Sequence, residues 1–484
     1  MGRGGKASLV SRFTVTALLA TACLLTAGTA TAEGSSTPGL RLAGVWAPLP
    51  KGAPKKANVV FGSISCTSST SCVAVGIYTT FHSGKTGTFD LIETLRGRTW
   101  KAIKAPLPAN AAANAYQTLE PVSCASAHFC VAVGSYYDRS GALMSYIEVF
   151  SGGRWRAWPA PLPAGASSRI GGILEDISCP SSSSCEAVGH YPDGPYRSVP
   201  YLVTMTGHSW RARTAPLPSN ARWGTSLVSW TPDNLESVAC SSPRDCEAIG
   251  TYYAQGVGNG IAYLETLSAG KWTAHATAVP SGGSLPNSLL TTVSCPPSGP
   301  CEAGGGYAAQ GGKPEGFFET VSSGSEPVAS ALPMPARASR TNPGSVVLSV
   351  SCPASGSCVA LTHIRSSSGR IEAFLARQTA DSWDQQLAPV PAPDAKDSRV
   401  IVSIACGAKS FCVGVGSFNS RAGGQELVDA LSSNRWTPWQ AKLPTAVGRA
   451  GAALQQVSCG SPTVCYAIGS YNNNKGLLET IRRG

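Results

Sequence analysis

Eight pairs of cysteines, every one spaced C-x5-C, punctuate this chain: Cys66/Cys72, Cys124/Cys130, Cys179/Cys185, Cys240/Cys246, Cys295/Cys301, Cys352/Cys358, Cys406/Cys412 and Cys459/Cys465. Successive first cysteines lie 53 to 61 residues apart. Self-similarity at such a period describes a stacked or circular array of small units, not a row of independent domains.

Each unit holds four strand-like pieces. The first ends in a cysteine, as in "SVSC" at Ser349–Cys352. The second starts at the partner cysteine, and "CVAVGSY" at Cys130–Tyr136 alternates with the two-residue rhythm of a strand. The third is "YLETL" at Tyr263–Leu267 and its relatives; the fourth opens on tryptophan and ends in a proline phrase, as in "WRARTAPLP" at Trp210–Pro218. Glycine, serine and asparagine fill the joints, as turns require. No stretch carries a sustained helical period. Four strands per repeat, many times over, predict an all-β propeller. The last repeat stops at its third strand, "LLETIRRG" (Leu477–Gly484), while "GVWAPLP" (Gly44–Pro50) stands near the start as an orphan fourth strand. Joining the ends completes an eight-bladed β-propeller and removes two open sheet edges.

The spacing makes the cysteines structural. A hairpin sets opposite Cα atoms about 4.5–5.5 Å apart, within disulfide range, and closing so small a ring stabilises by roughly 2 kcal/mol. Zinc needs shorter spacing and tetrads of ligands. Other residues recur in phase. Glycine stands four positions after the second cysteine in seven units, and an aromatic two further on: Tyr78, Tyr136, Tyr191, Tyr252, Tyr307, Phe418 and Tyr471. A carboxylate marks the third strand six times, at Glu93, Glu148, Glu265, Glu319, Asp429 and Glu479. Chemistry rarely needs six equivalent acids, so these read as a buried hydrogen-bonding device repeated per blade. The fourth-strand tryptophans (Trp46, Trp100, Trp155, Trp210, Trp272, Trp383, Trp436) read as packing between blades. Units five and six break the pattern: unit five lacks the tryptophan, Thr362 replaces the glycine, and Ile364 replaces the aromatic. Looser or altered packing is expected there.

The pattern resembles bacterial propellers of the BNR (Asp-box) and kelch-like kinds. "SGGRW" at Ser151–Trp155 and "SAGKW" at Ser268–Trp272 are similar to the glycine–tryptophan end of an Asp-box, S-x-D-x-G-x-x-W, without its aspartate. The resemblance implies the fold. It carries over no catalytic residue, because the arginine triad and tyrosine–glutamate pair of sialidases have no counterparts to map.

The first residues read as an export signal over residues 1–32. Arg3, Lys6 and Arg12 precede the apolar run "FTVTALLATACLLTAG" (Phe13–Gly28), and Ala30-x-Ala32 offers a cleavage site. The run is short for a membrane span, and no other segment is long enough. A lipid anchor at Cys23 fits poorly, since more apolar residues follow it. Cleavage near Ala32 leaves residues 33–484 as one propeller, secreted, with sixteen cysteines in a disulfide-permitting compartment. It also takes the formal charge from +11 to +8. No basic run exceeds two residues, so nucleic acid is not an expected partner.

No hydrolase, metalloprotease or phosphate-cradling motif occurs. The six histidines are spread over five units without ligand spacing, and no metal or cofactor is expected. Alternating strand directions place the joints between blades and the second-to-third-strand loops on one face, opposite the cysteine loops. The longest insertion on that face, "SNARWGTSLVSWTPDN" (Ser219–Asn234), carries Trp223 and Trp230 outside the repeat. With Arg222 and Tyr253, and with Arg169, Tyr116, Asp138 and Asp233 around them, they form the candidate ligand-binding face. The expected role is a monomeric, non-catalytic scaffold that binds a glycan or an extracellular protein. The alternative is a glycosidase- or lyase-like enzyme with paired carboxylates at one face.

Overall fold

Each repeat becomes one four-stranded antiparallel sheet in the computed structural model, and eight such sheets account for the 32 strands of the described residues. The structure describes residues 39–484, apart from residues 83–84, 113–116, 167–170, 195–197, 223–232, 255–256, 258, 323, 380–381, 392–395, 421–422, 433, 442, 445–450 and 473. Blade 1 is typical: Asn58–Ser68, Ser71–His82, Lys85–Arg96 and Thr99–Lys104, paired in that order. Blades 2 to 7 follow with first strands starting at Gln117, Ile173, Asn234, Ser284, Val346 and Lys396. Blade 8 takes Ala452–Ser461, Val464–Tyr471 and Lys475–Arg483 from the end of the chain, and Leu40–Trp46 from its beginning. That closing strand pairs in continuous register from Leu40↔Arg483 to Trp46↔Leu477. Lys475 then sets its ammonium 4.3 Å from the Trp46 ring centroid.

First strands pack against first strands around the whole ring, blade 8 against blade 1 included, and so line the axis. The eight predicted disulfides are all present: Cys66–Cys72, Cys124–Cys130, Cys179–Cys185, Cys240–Cys246, Cys295–Cys301, Cys352–Cys358, Cys406–Cys412 and Cys459–Cys465, with Cα–Cα separations of 3.8–4.2 Å. They are tighter than an ordinary strand pair because in most blades a register shift follows the first cysteine and winds the hairpin there. The second cysteine of each pair opens an inner strand and points into the core. Cys72, Cys185, Cys358, Cys412 and Cys465 are at most 1% exposed, and each belongs to a different apolar cluster. The recurring glycine has a steric cause. It faces the first strand where that strand bulges, and a Cβ there would sit 1.8–2.3 Å from a backbone oxygen. The aromatic two residues on packs edge-on against the third strand, as Tyr136 does on Tyr146 and Tyr252 on Tyr263.

Serine stitches the blades together: it stands before the first cysteine in six of the eight repeats. The Ser65 hydroxyl accepts the Cys124 N–H of the next blade, and Ser123, Ser178, Ser294, Ser351 and Ser458 do the same for Cys179, Cys240, Cys352, Cys406 and Cys66, at 2.9–3.1 Å. Blades 4 and 7 have Ala239 and Ala405 there, which offer no hydroxyl.

Blades 5 and 6 are differently packed, not loose. Phe318 lies flat on Trp383, centroids 3.7 Å apart and 8° from parallel. Thr362 donates to Gln385 Oε1 at 2.9 Å, and the Gln385 amide donates to the Pro333 carbonyl of the preceding joint. Blade 6 thus replaces the third-strand acid with an amide and a hydroxyl.

Candidate functional site

The six third-strand carboxyls converge on no pocket. Glu93, Glu148, Glu265, Glu319, Asp429 and Glu479 are each at most 1% exposed, sealed between sheets. The expected hydrogen-bonding device is seen at Glu319, which accepts from Thr277 Oγ1 at 2.5 Å and from the Ala278 N–H at 2.7 Å, both in the joint leaving blade 4. At the same places the joints before blades 1 and 2 read Ala47-Pro48 and Ala105-Pro106. Alanine has no hydroxyl and proline no N–H. Neither carboxyl oxygen of Glu93 or of Glu148 has a hydrogen-bond partner among the described residues.

Electrostatics follow the donors. Burial raises Glu93 to about 9 and Glu319, relieved by its two donors, only to about 7. Glu148 is pushed well above the carboxylate range by burial and by the neighbouring charge of Asp90. Asp90 rises to about 7 through burial, although the Tyr146 hydroxyl donates to it. In blades 3, 4 and 5 the second strand adds Glu186, Glu247 and Glu302, each accepting from a threonine on the adjacent strand. Burial raises all three. Burial thus favours the neutral, protonated form of each, as suits structural acids.

The cysteines divide by position. Among the sixteen named from the spacing, Cys72, Cys185, Cys358, Cys412 and Cys465 are site residues only as covalent braces. Solvent reaches at most 1% of each. Each behaves as a small apolar core residue once its thiol is consumed in the bridge.

The axis carries residues that the repeat analysis passed over. The bulge places one residue of each first strand off the sheet: Gly62, Glu120, Glu175 and Glu236 in blades 1 to 4. A Cβ on Gly62 would meet the Glu120 Cα at 3.1 Å, so neighbouring bulges touch. His190 Nδ1 lies 3.7 Å from Glu175, and Asn234 Nδ2 donates to Glu236 at 3.1 Å. The position four residues before the first cysteine was the available signal.

The joint face gathers part of the predicted site. The Arg222 N–H donates to the Tyr253 carbonyl at 2.8 Å, and the Tyr253 N–H donates to the buried Asp233 carboxylate at 3.0 Å. Arg222 is exposed and Tyr253 half-buried. This backbone link recurs as Ala112 to Tyr137 in blade 2 and Ser339 to Arg365 in blade 6, so it belongs to the scaffold. Asp138 caps its own turn, accepting from Ser140 and Ala142. Trp223, Trp230, Arg169 and Tyr116 lie outside the described residues. A shallow hollow of about 440 Å³ opens on this face between blades 5 and 6, lined by Lys313, Glu315, Met334, Arg340 and Pro343. A second, of about 400 Å³, opens between the cysteine loops of blades 4 and 5, beside Ser241, Asp245, Glu247 and Ser298. Among the described residues no group of three or more His, Cys, Asp or Glu is arranged to hold a metal ion. No helix among them is long and apolar enough to cross a membrane.

No family profile and no curated protein sequence matches the chain. Solved structures resemble it at fold level. A Mycobacterium tuberculosis puromycin-hydrolyzing peptidase shares 12% identity, covers 87% of this chain and 61% of its own, and gives a TM-score of 0.44. A Trypanosoma rangeli sialidase shares 9%, covers 78% and 57%, and gives 0.36. Chaetomium thermophilum Sqt1, solved bound to the N-terminus of ribosomal protein L10, shares 9%, covers 93% and 100%, and gives 0.46. This chain therefore spans about 60% of the length of the first two. Likeness at this level says nothing about chemistry, and the class rests on the strand pairing itself: a disulfide-braced, eight-bladed β-propeller.

Proposed function

We propose that the protein is an exported, monomeric, non-catalytic scaffold that binds a glycan or an extracellular protein on its joint face. The carrying observation is the sealing of the repeated carboxyls. Glycoside hydrolysis needs two acids facing a shared substrate, whereas Glu93 and its equivalents are buried in separate seams. Eight disulfides suit an oxidising compartment, and the leader reading of residues 1–32 gives the route there. Variable joints on a rigid ring are the usual way such folds carry recognition.

The test is a glycan array, with pull-down from the culture envelope, using the whole protein and the variants Arg222→Ala, Tyr253→Ala, Trp223→Ala and Trp230→Ala. Binding weakened at least tenfold by the joint-face variants, with melting temperature unchanged, supports the reading. Binding indifferent to all four sinks the site. Turnover of any bound glycan or peptide sinks the non-catalytic claim.

A further inference from the structure

Basic residues that never cluster along the chain are gathered by the fold. The fourth strands of blades 1, 2 and 3 (Thr99–Lys104, Arg154–Pro159 and Ser209–Thr214) form the outer wall of three consecutive blades. All three share one exposure pattern, with alternate side chains facing outward. Lys101, Arg156 and Arg211 occupy the same register, opposite Thr94, Val149 and Thr204. Lys104, Arg154 and Arg213 add to them, all exposed. The acids of these blades' third and fourth strands are Asp90, Glu93 and Glu148, all buried. The fourth strand of blade 6 shows Asp384 outward instead.

We propose that this outer rim of blades 1–3 binds an anionic polysaccharide. Four of its six cations are arginines, whose planar forks match carboxylate, sulfate or phosphate groups. Trp158, 46% exposed at the register of Ile103 and Arg213, offers an apolar face on which a sugar ring can lie. The wall is convex. A flat bilayer touches a convex wall along one blade only, while a flexible polymer follows three. Single-stranded nucleic acid favours a run of aromatic platforms, and Trp158 is the one large aromatic on these three strands that is exposed. The rim cations lie on the fourth strands and the joint-face candidates in the loops that follow them, so separate variants distinguish the two readings.

The experiment measures binding of the whole protein to polygalacturonate, neutral dextran, poly(dT) and anionic phospholipid vesicles across a salt series. Polygalacturonate should bind, weakening linearly in log–log fashion with salt, and dextran should not. The triple variant R156Q/R211Q/R213Q should weaken polygalacturonate binding at least tenfold, and Trp158→Ala severalfold. A charge-matched control away from the rim and from the joint-face hollow, R244Q/K409Q/R435Q, should change it less than twofold. All substituted residues are exposed, and unchanged melting curves confirm folding. Equal losses in the two triple variants would show delocalised charge and overturn the proposal. So would failure to bind polygalacturonate, or tighter binding of poly(dT) or vesicles.

Discussion

The seam between blades 1 and 2 and the seam between blades 4 and 5 solve one packing problem in opposite ways. At the first, Ser65 ties the inner strands through the Cys124 N–H, and Glu148 sits further out with no donor to meet it. At the second, Ala239 leaves the inner position without a hydroxyl, a hollow opens between the cysteine loops, and the tie moves outward to Thr277, Ala278 and Glu319. Two residues in a joint, Thr-Ala in place of Ala-Pro, decide whether a buried acid is bonded. The lesson is that a repeat can keep its carboxyl and change that carboxyl's chemistry completely.

The largest expected effect removes an unbonded acid. Glu93 is raised in the folded state, so its contribution to stability is fully present below its unfolded pKa near 4.5 and is lost as pH climbs toward about 9. Between those limits it lowers stability by roughly 1.4 kcal/mol per pH unit. Glu93→Gln should therefore stabilise the protein by about 3 kcal/mol at pH 7, and more at pH 8. Urea unfolding at pH 5, 7 and 8 checks this; a variant gain that does not grow with pH would contradict it.

Next come the covalent ties. Replacing Cys124 and Cys130 by serine should cost about 2.4 kcal/mol. The same change at Cys240 and Cys246 should also speed hydrogen exchange at the Cys295 N–H, because no serine holds that seam; equal exchange in both variants would erase the distinction. The double change Thr277→Ala, Ala278→Pro copies the joint before blade 2. It should cost roughly 2 kcal/mol, about 1 for each lost hydrogen bond, and move Glu319 from about 7 toward the range of Glu93. Carboxyl titration by NMR or infrared spectroscopy reads that shift. The smallest effect belongs to the inner serines: Ser65→Ala should cost about 1 kcal/mol, and Ala239→Ser should return up to as much. Thermal melts at pH 6 measure both.

Spacing and phase were readable because disulfides and ring closure are local or periodic matters. C-x5-C brings two sulfurs together within one hairpin, and the complementary ends, "GVWAPLP" and "LLETIRRG", reveal that the strand near the start completes the last blade. The pairing of Cys72 or Cys412 was legible in this way; the depth at which each sulfur lies was not, since it depends on the blade alongside. The recurring glycine was visible as a repeat, though the backbone oxygen it faces was not, and the serine before the first cysteine in six units gained its meaning only from the neighbouring N–H it meets. Arg222 and Tyr253 could be assigned to one face by counting strand directions; their direct link could not.

Along the chain, then, the residues dictate the covalent frame, the blade count and the place where the circle seals. Protonation of Glu93 and Glu148, the seam tied at Glu319 and the basic rim from Lys101 to Arg213 come into being only when blades meet. The reason is physical. A pairing inside a hairpin depends on a few intervening residues, whereas desolvation and surface charge depend on what residues some 55 positions away place alongside.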